Sequence, residues 1–175
     1  MKPLKQVGES YFLLSQGEKQ IEGAAFEEAE QSYRLAMTMA RTIPTEEAFD
    51  YDGFDAIAHA GLSSALIGLG RYNEALVSVA EALRYFNRRG DLHSAEGSLW
   101  IAVICNKARA LESLGRKDEA IKYYRMAGEM IAEKKGEIKQ RDLLTELIEQ
   151  GLQRLEGAKP ATAKQGYKAW WEFWS

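Results

Sequence analysis

Apolar residues return every three or four positions along most of this chain, the spacing that puts them on one face of an α-helix. The clearest case lies near the end. There Leu143, Leu144, Leu147, Ile148, Leu152 and Leu155 form an apolar stripe at helical spacing. Reading the whole chain this way predicts helices over 4–22, 26–42, 46–69, 72–89, 94–114, 117–135 and 138–156. No segment alternates with the period of two that a half-buried strand would show, so the expected class is all-α. Proline agrees. Pro3, Pro44 and Pro160 are the only three, so 45–159 is free of the strongest helix breaker.

A repeat underlies the pattern. Gly23-Ala-Ala-Phe-Glu-Glu-Ala29, Gly70-Arg-Tyr-Asn-Glu-Ala75 and Gly115-Arg-Lys-Asp-Glu-Ala120 align on their last alanine. Seven residues after each comes another alanine, at Ala36, Ala82 and Ala127. Twelve residues before each stands a small residue, Gly17, Ser63 or Ala108. Tyr33, Val79 and Tyr124 fall between the two alanines, and Glu28, Glu74 and Glu119 precede the first. Antiparallel helices joined by a tight turn need small side chains where their axes approach and large ones beside them. Acidic residues in the first turn of the second helix complement its dipole.

On these residues the chain resembles the tetratricopeptide repeat family. Ser63, Gly70, Tyr72, Glu74, Ala75, Val79 and Ala82 meet that family's pattern. Lys117 departs from it where an aromatic is usual. Ala24 stands at the turn glycine of repeat one, and Arg41, Asn87 and Ala132 replace the closing proline. The resemblance covers about 10–132 and implies an α–α superhelix of three antiparallel helix pairs. The family period is about 34 residues, so the spacings of this chain carry extra length, read as roughly three more turns of helix per pair. The domain is then expected over 1–156. Its last helix, 138–156, closes the open end of the stack.

In this family the first helix of each pair lines a concave, peptide-binding face. The corresponding positions are Tyr11, Leu14, Glu18 and Ile21 in pair one, and Ile57, Ala60, Gly61, Ser64 and Ile67 in pair two. In pair three they are Ala102, Cys105, Asn106, Arg109 and Glu112. The small residues among them imply room for bulky ligand side chains. Many chaperone-binding members grip a peptide carboxylate with Lys, Asn and Arg; Leu14, Glu18, Gly61 and Ala102 stand at those places here, and only Asn106 is kept. The implied function is a protein- or peptide-binding adaptor. The first rival is a self-associating structural protein whose Trp-rich C-terminal tail occupies that face in cis or in trans; the second, ranked below it, is an enzyme with a carboxylate-only site.

Other clusters invite blander explanations. Asp50, Asp52 and Asp55 surround Gly53, but their spacing does not fit a calcium loop. Arg84, Tyr85, Phe86, Arg88 and Arg89 precede Gly90, where cations complement a helix C-terminus. His59 and His93 are the only histidines, and no nucleophile–base pair or Gly-rich phosphate loop is evident. The sequence therefore predicts no enzyme, metal or cofactor.

The C-terminus differs. After a linker over 157–166 comes an aromatic tail, 167–175, with Trp170, Trp171, Phe173 and Trp174. Aromatics so dense favour docking on protein, within the chain or across a homodimer. Composition narrows the setting: 46% hydrophobic with 28% charged residues reads as a soluble, globular chain. A net charge of −3 argues against nucleic acid as a partner. The three lysines of the linker and tail together, against one glutamate, are too few for firm membrane attachment. A lone cysteine, Cys105, and an N-terminus without an apolar leader fit the cytoplasm.

Overall fold

The computed structural model describes residues 3–157, and the linker and tail expected after 157 lie outside them. The described residues form seven α-helices and no strand: α1 (Pro3–Glu22), α2 (Phe26–Ala40), α3 (Tyr51–Gly68), α4 (Tyr72–Arg89), α5 (Gly97–Ser113), α6 (Lys117–Glu133) and α7 (Arg141–Glu156). They fall into two compact units that divide between Arg89 and Gly90. In the first, α1 pairs with α2 and α3 with α4, while α3 also packs on α2 and α1. In the second, α5 pairs with α6, and α7 packs on both. Thus α7 stands to α5 and α6 as α3 stands to α1 and α2.

The turns inside the pairs are copies of one another. Each helix ends with an N–H that reaches back five residues: Ala25 to Gln20 O at 2.8 Å, Arg71 to Leu66 O at 2.8 Å, Arg116 to Leu111 O at 2.9 Å. This C-terminal motif requires a left-handed residue before the donor. Gly70 (φ 72°) and Gly115 (φ 74°) supply it, and in the first pair Ala24 takes it at φ 56°. The next helix opens with a second shared device. Arg71 chelates Glu74, and Arg116 chelates Glu119, three residues on. Arg71 also reaches Glu30 of α2 at 2.6 Å, tying the α3–α4 turn to the preceding pair.

The added length per repeat is not all helix. Residues 41–50 and 90–96 are connections. The helix expected from 46 begins at Tyr51, because 44–49 close into turns and Asp50 caps α3 by accepting from Gly53 N at 2.9 Å. The helix expected from 94 begins at Gly97, since Asp91 accepts from the amides of His93 and Ser94 and holds a turn there. The last helix starts at Arg141 rather than 138 because Gln140 is left-handed, φ 58°.

The repeat alanines lie at the packing points. Ala29, Ala36, Ala75, Ala82, Ala120 and Ala127 are all fully buried, as are Phe54, Leu62, Ile101, Ile104, Tyr124 and Met130 around them. A helix pair whose axes meet at a methyl group has no slack there, so each alanine fixes an interhelical distance.

Candidate binding surface

In the first unit, α1 and α3 are the first helices of their pairs and touch each other. One end of their shared face is aromatic. Tyr11 meets Phe54 edge-on at 5.2 Å and Phe49 at 6.2 Å between ring centres, and Phe49 meets Tyr51 at 4.9 Å. The Tyr51 hydroxyl donates to Ile43 O at 2.7 Å, which anchors the cluster to the α2–α3 connection. Phe54 is buried, whereas Tyr11 is 48% exposed. One side of the Tyr11 ring rests on fixed aromatics and the other is open. Such a ring is pre-positioned, so a ligand packing on it would freeze little side-chain motion.

The remaining expected face residues of this unit divide by burial. Glu18 is exposed, Ile57, Gly61 and Ser64 are half-buried, and Leu14 and Ala60 are buried in the core. The room expected at Gly61 belongs to Tyr33. A Cβ on Gly61 would stand 2.1 Å from Tyr33 Cζ, and one on Gly17 would stand 2.8 Å from the same atom. Two glycines on two helices thus form the slot for one buried α2 tyrosine. Its phenol is held above its ordinary value by burial and then by Glu18 and Glu22.

The second unit repeats the device. Tyr124 of α6 occupies the place of Tyr33, and a Cβ on Gly151 of α7 would stand 2.4 Å from its Cζ. Here the phenol finds a partner, donating to Glu112 Oε2 at 2.7 Å. Arg154 of α7 donates to both oxygens of the same carboxylate, at 2.7 and 3.1 Å. Of the expected face residues, Ala102 and Arg109 are half-buried, while Cys105 and Asn106 are buried. Burial pushes the Cys105 thiol up to about 12, which leaves it protonated and unreactive at neutral pH. Buried Leu14, Ala60, Cys105 and Asn106 cannot meet a partner without opening the core. In the first unit the residues open to one are Tyr11, Glu18 and the exposed parts of Ile57 and Ser64; in the second they are the exposed parts of Ala102 and Arg109.

The acidic cluster resolves into three separate roles. Asp50 caps α3, Asp52 pairs with Arg88 at 2.9 Å, and Asp55 takes both ends of Arg41 at 2.9 and 2.7 Å. The basic cluster is consumed in the same way. Tyr85 and Phe86 are buried, Arg84 pairs with Glu81, and Arg89 lies over the Tyr85 ring. Together Asp52, Asp55, Ala56, His59, Glu81, Arg84, Tyr85 and Arg88 line a cleft of about 210 Å³. Its charges neutralise one another pairwise, so little net field remains to recruit an ion. His59 sits there with its basicity lowered by burial, its Nδ1 buried and without a hydrogen-bond partner. His93 is elsewhere, accepting from the Lys135 amide through Nδ1 at 3.2 Å. Among the described residues, no group of three or more His, Cys, Asp or Glu side chains could hold a metal ion.

Residues 2–144 match the family described as Domain of Unknown Function (DUF3856). The chain belongs to this family. The solved structure of a TPR-like protein from Chlorobium tepidum is 44% identical to the DUF3856 chain, and the two agree with a TM-score of 0.84. The match covers 90% of this chain and 100% of that one. No curated protein matches. The DUF3856 chain therefore has an all-α, TPR-like fold of helix pairs, as the three in-phase turns imply. The exposed side chains Leu4, Phe12 and Leu143 lie outside the residues that family positions single out, at 84%, 67% and 58% exposure. Helical spacing would have found the first two, since Leu4, Gly8 and Phe12 recur every four residues.

Proposed function

We propose that this DUF3856 protein is a non-catalytic scaffold that binds a protein or peptide on the faces formed by the first helices of its pairs. Tyr11 carries the reading: a half-exposed aromatic ring backed by the fixed rings of Phe49 and Phe54. Exposed aromatics in such settings are the side chains that dominate interface energetics. A TPR-like repeat supports the reading, since it displays one face of every helix pair in series. The partner class is protein rather than nucleic acid, because the arginines of α4 are already committed to Asp52, Glu81 and Tyr85. Among the described residues no helix is long and apolar enough to cross a membrane, and we place the protein in the cytoplasm.

The test is selection of peptides from a displayed random library on the intact protein. Selected peptides are expected to bind at least about tenfold more weakly to Tyr11→Ala, the loss of roughly 1.4 kcal/mol that a modest hot spot gives. Peptides that bind parent and Tyr11→Ala equally, or a library that yields no binder, count against this face.

A further inference from the structure

Among the described residues of the second unit, Leu143 is the large apolar side chain left most exposed, at 58%. Two contacts show what lies beside it. At the entry to α7 the Lys139 amide donates to Ser98 Oγ at 3.2 Å. Near the other end Arg154 donates to both oxygens of Glu112. The partners are 41 and 42 residues apart in sequence, so α5 and α7 run parallel and almost in step. At that offset Ala102 stands abreast of Leu143 and Leu144. Leu143, Leu147 and Arg154 follow at intervals of four and seven, one side of a helix, and Arg154 turns that side toward α5. Leu143 and the half-buried Leu147 therefore border Ala102 in an open apolar strip, with the Glu112–Arg154 pair beyond it.

We propose that this strip is the seat of the chain's own aromatic segment, Tyr167 to Trp174, docked in cis. The occupant follows from the length of chain beyond α7 and the point where it departs. The helix ends at Glu156, and the chain leaves it through Gly157 at φ 76°. Leu147 lies ten residues back along the helix and Leu143 fourteen, about 15 and 21 Å from Gly157. The nine residues 158–166 can span up to about 30 Å. Tyr167 and the rings that follow it therefore reach both leucines without leaving the second unit.

Tethering and charge favour this occupant. A segment held by a short linker competes for its seat at an effective concentration in the millimolar range, which a short apolar strip needs if it is to stay covered. Residues 158–175 carry Lys159, Lys164 and Lys168 against Glu172. The exposed side of α7 next to the strip carries Asp142, Glu146 and Glu149. A basic segment is thus drawn back along an acidic helix. The strip belongs to the second unit and is separate from the Tyr11 face of the first, so either can fail without the other.

The experiment begins with acrylamide quenching of the full chain. Trp100 is buried, so the accessible signal comes from Trp170, Trp171 and Trp174. These indoles are expected to be shielded in the parent and freely quenched in Leu143→Glu, with unchanged helical circular dichroism because Leu143 is exposed. The second measurement is binding of a labelled peptide of residues 158–175. A full chain carrying Trp170→Ser, Trp171→Ser and Trp174→Ser has lost its own competitor. It should bind the peptide at least about tenfold more tightly than the parent does. Adding Leu143→Glu to that variant should abolish the binding. Equal quenching in the parent and Leu143→Glu overturns the proposal. So does a peptide that binds the parent and the tail variant equally, or whose binding survives Leu143→Glu. A parent that sediments as a dimer, while the tail variant is a monomer, shows a tail that crosses to a second copy and overturns docking in cis.

Discussion

The Tyr124 hydroxyl donates to Glu112 Oε2 at 2.7 Å, and Arg154 closes on the same carboxylate from α7. Three helices of the second unit, α5, α6 and α7, thus meet at one side chain. The Arg154 hydrogen bond holds the Glu112 carboxyl below its usual range, with Tyr124 and the charge of Arg109 adding to it, while burial works the other way. A carboxyl whose pKa is lower folded than unfolded contributes stability above its unfolded value, about 4.3. That contribution is lost as pH falls through the folded value. Glu112→Gln is therefore expected to cost about 1 kcal/mol at pH 7, the worth of charge-assisted hydrogen bonds at a partly screened site. The difference from the parent should shrink as pH falls below the unfolded value and through the lower folded one, where Glu112 gains its proton in the folded state as well. Urea unfolding followed from pH 7 down into the acid range measures it, and a difference that persists undiminished in acid contradicts the assignment.

Gly61 and Gly151 are expected to reject even a methyl group. Alanine at either would force its Cβ to 2.1–2.4 Å from a buried tyrosine ring. Overpacking of this kind costs roughly 1–3 kcal/mol, more than the ~1 kcal/mol that helix propensity returns. Tyr33→Leu shortens the ring's reach, so Gly61→Ala should cost less in that background than alone. Thermal melts of the double-mutant cycle read the coupling. Additive losses would show that Tyr33 and Gly61 do not share the slot.

The three turns were legible because each requirement has a single-residue signature: a left-handed position, a first-turn carboxylate, an alanine at the axis contact. In-phase recurrence then fixed the class of fold. Residues 46–50 read as helix in the sequence because Glu46, Glu47 and Ala48 are good helix formers, whereas the observed turn depends on Asp50 finding Gly53 N. The binding face was legible only as family positions. Which of them stay exposed depends on neighbours remote in sequence. Tyr33 fills the space at Gly61, and nothing within either helix announces that pairing. Tyr11 has the same sequence signal as Leu14. The difference between them is the Phe49–Phe54 cluster, which takes one side of the Tyr11 ring and leaves the other open.

The first turn holds a stabilising substitution. Ala24 adopts φ 56°, while the equivalent Gly70 and Gly115 sit at 72° and 74°. A Cβ in the left-handed region costs roughly 1–2 kcal/mol, part of which glycine returns as unfolded-state freedom. Ala24 is exposed, so removing its methyl loses no packing. Ala24→Gly should raise stability by about 0.5–1 kcal/mol. Gly70→Ala and Gly115→Ala should lower it by a similar amount, and chemical unfolding of the three variants compares them. A destabilised Ala24→Gly would mean that the first turn is not built like the other two.

Lys134 is the least expected structural residue, a lysine 7% exposed at the end of α6. Its ammonium donates to Leu92 O at 3.1 Å and Ser94 O at 2.8 Å, carbonyls of the connection that leads into α5. That connection has no room to shift, because a Cβ on Gly97 would stand 1.8 Å from Leu92 O. The lysine therefore does what a closing turn residue would otherwise do, holding the entry to α5 against the end of α6. Lys134→Met keeps most of the volume and the aliphatic stem but leaves both carbonyls without that donor. A buried carbonyl stripped of its partner costs about 1–3 kcal/mol, and the stem's packing is spared. Lys134→Met should thus lose roughly 1–3 kcal/mol of global stability. Amide hydrogen exchange should show faster exchange at 94–99, while the α1–α2 hairpin keeps its protection. Lys135→Met, one residue on and exposed, is the control and should change neither. If Lys134→Met unfolds at the parental midpoint and residues 94–99 exchange at the parental rate, the ammonium is not what secures the start of α5.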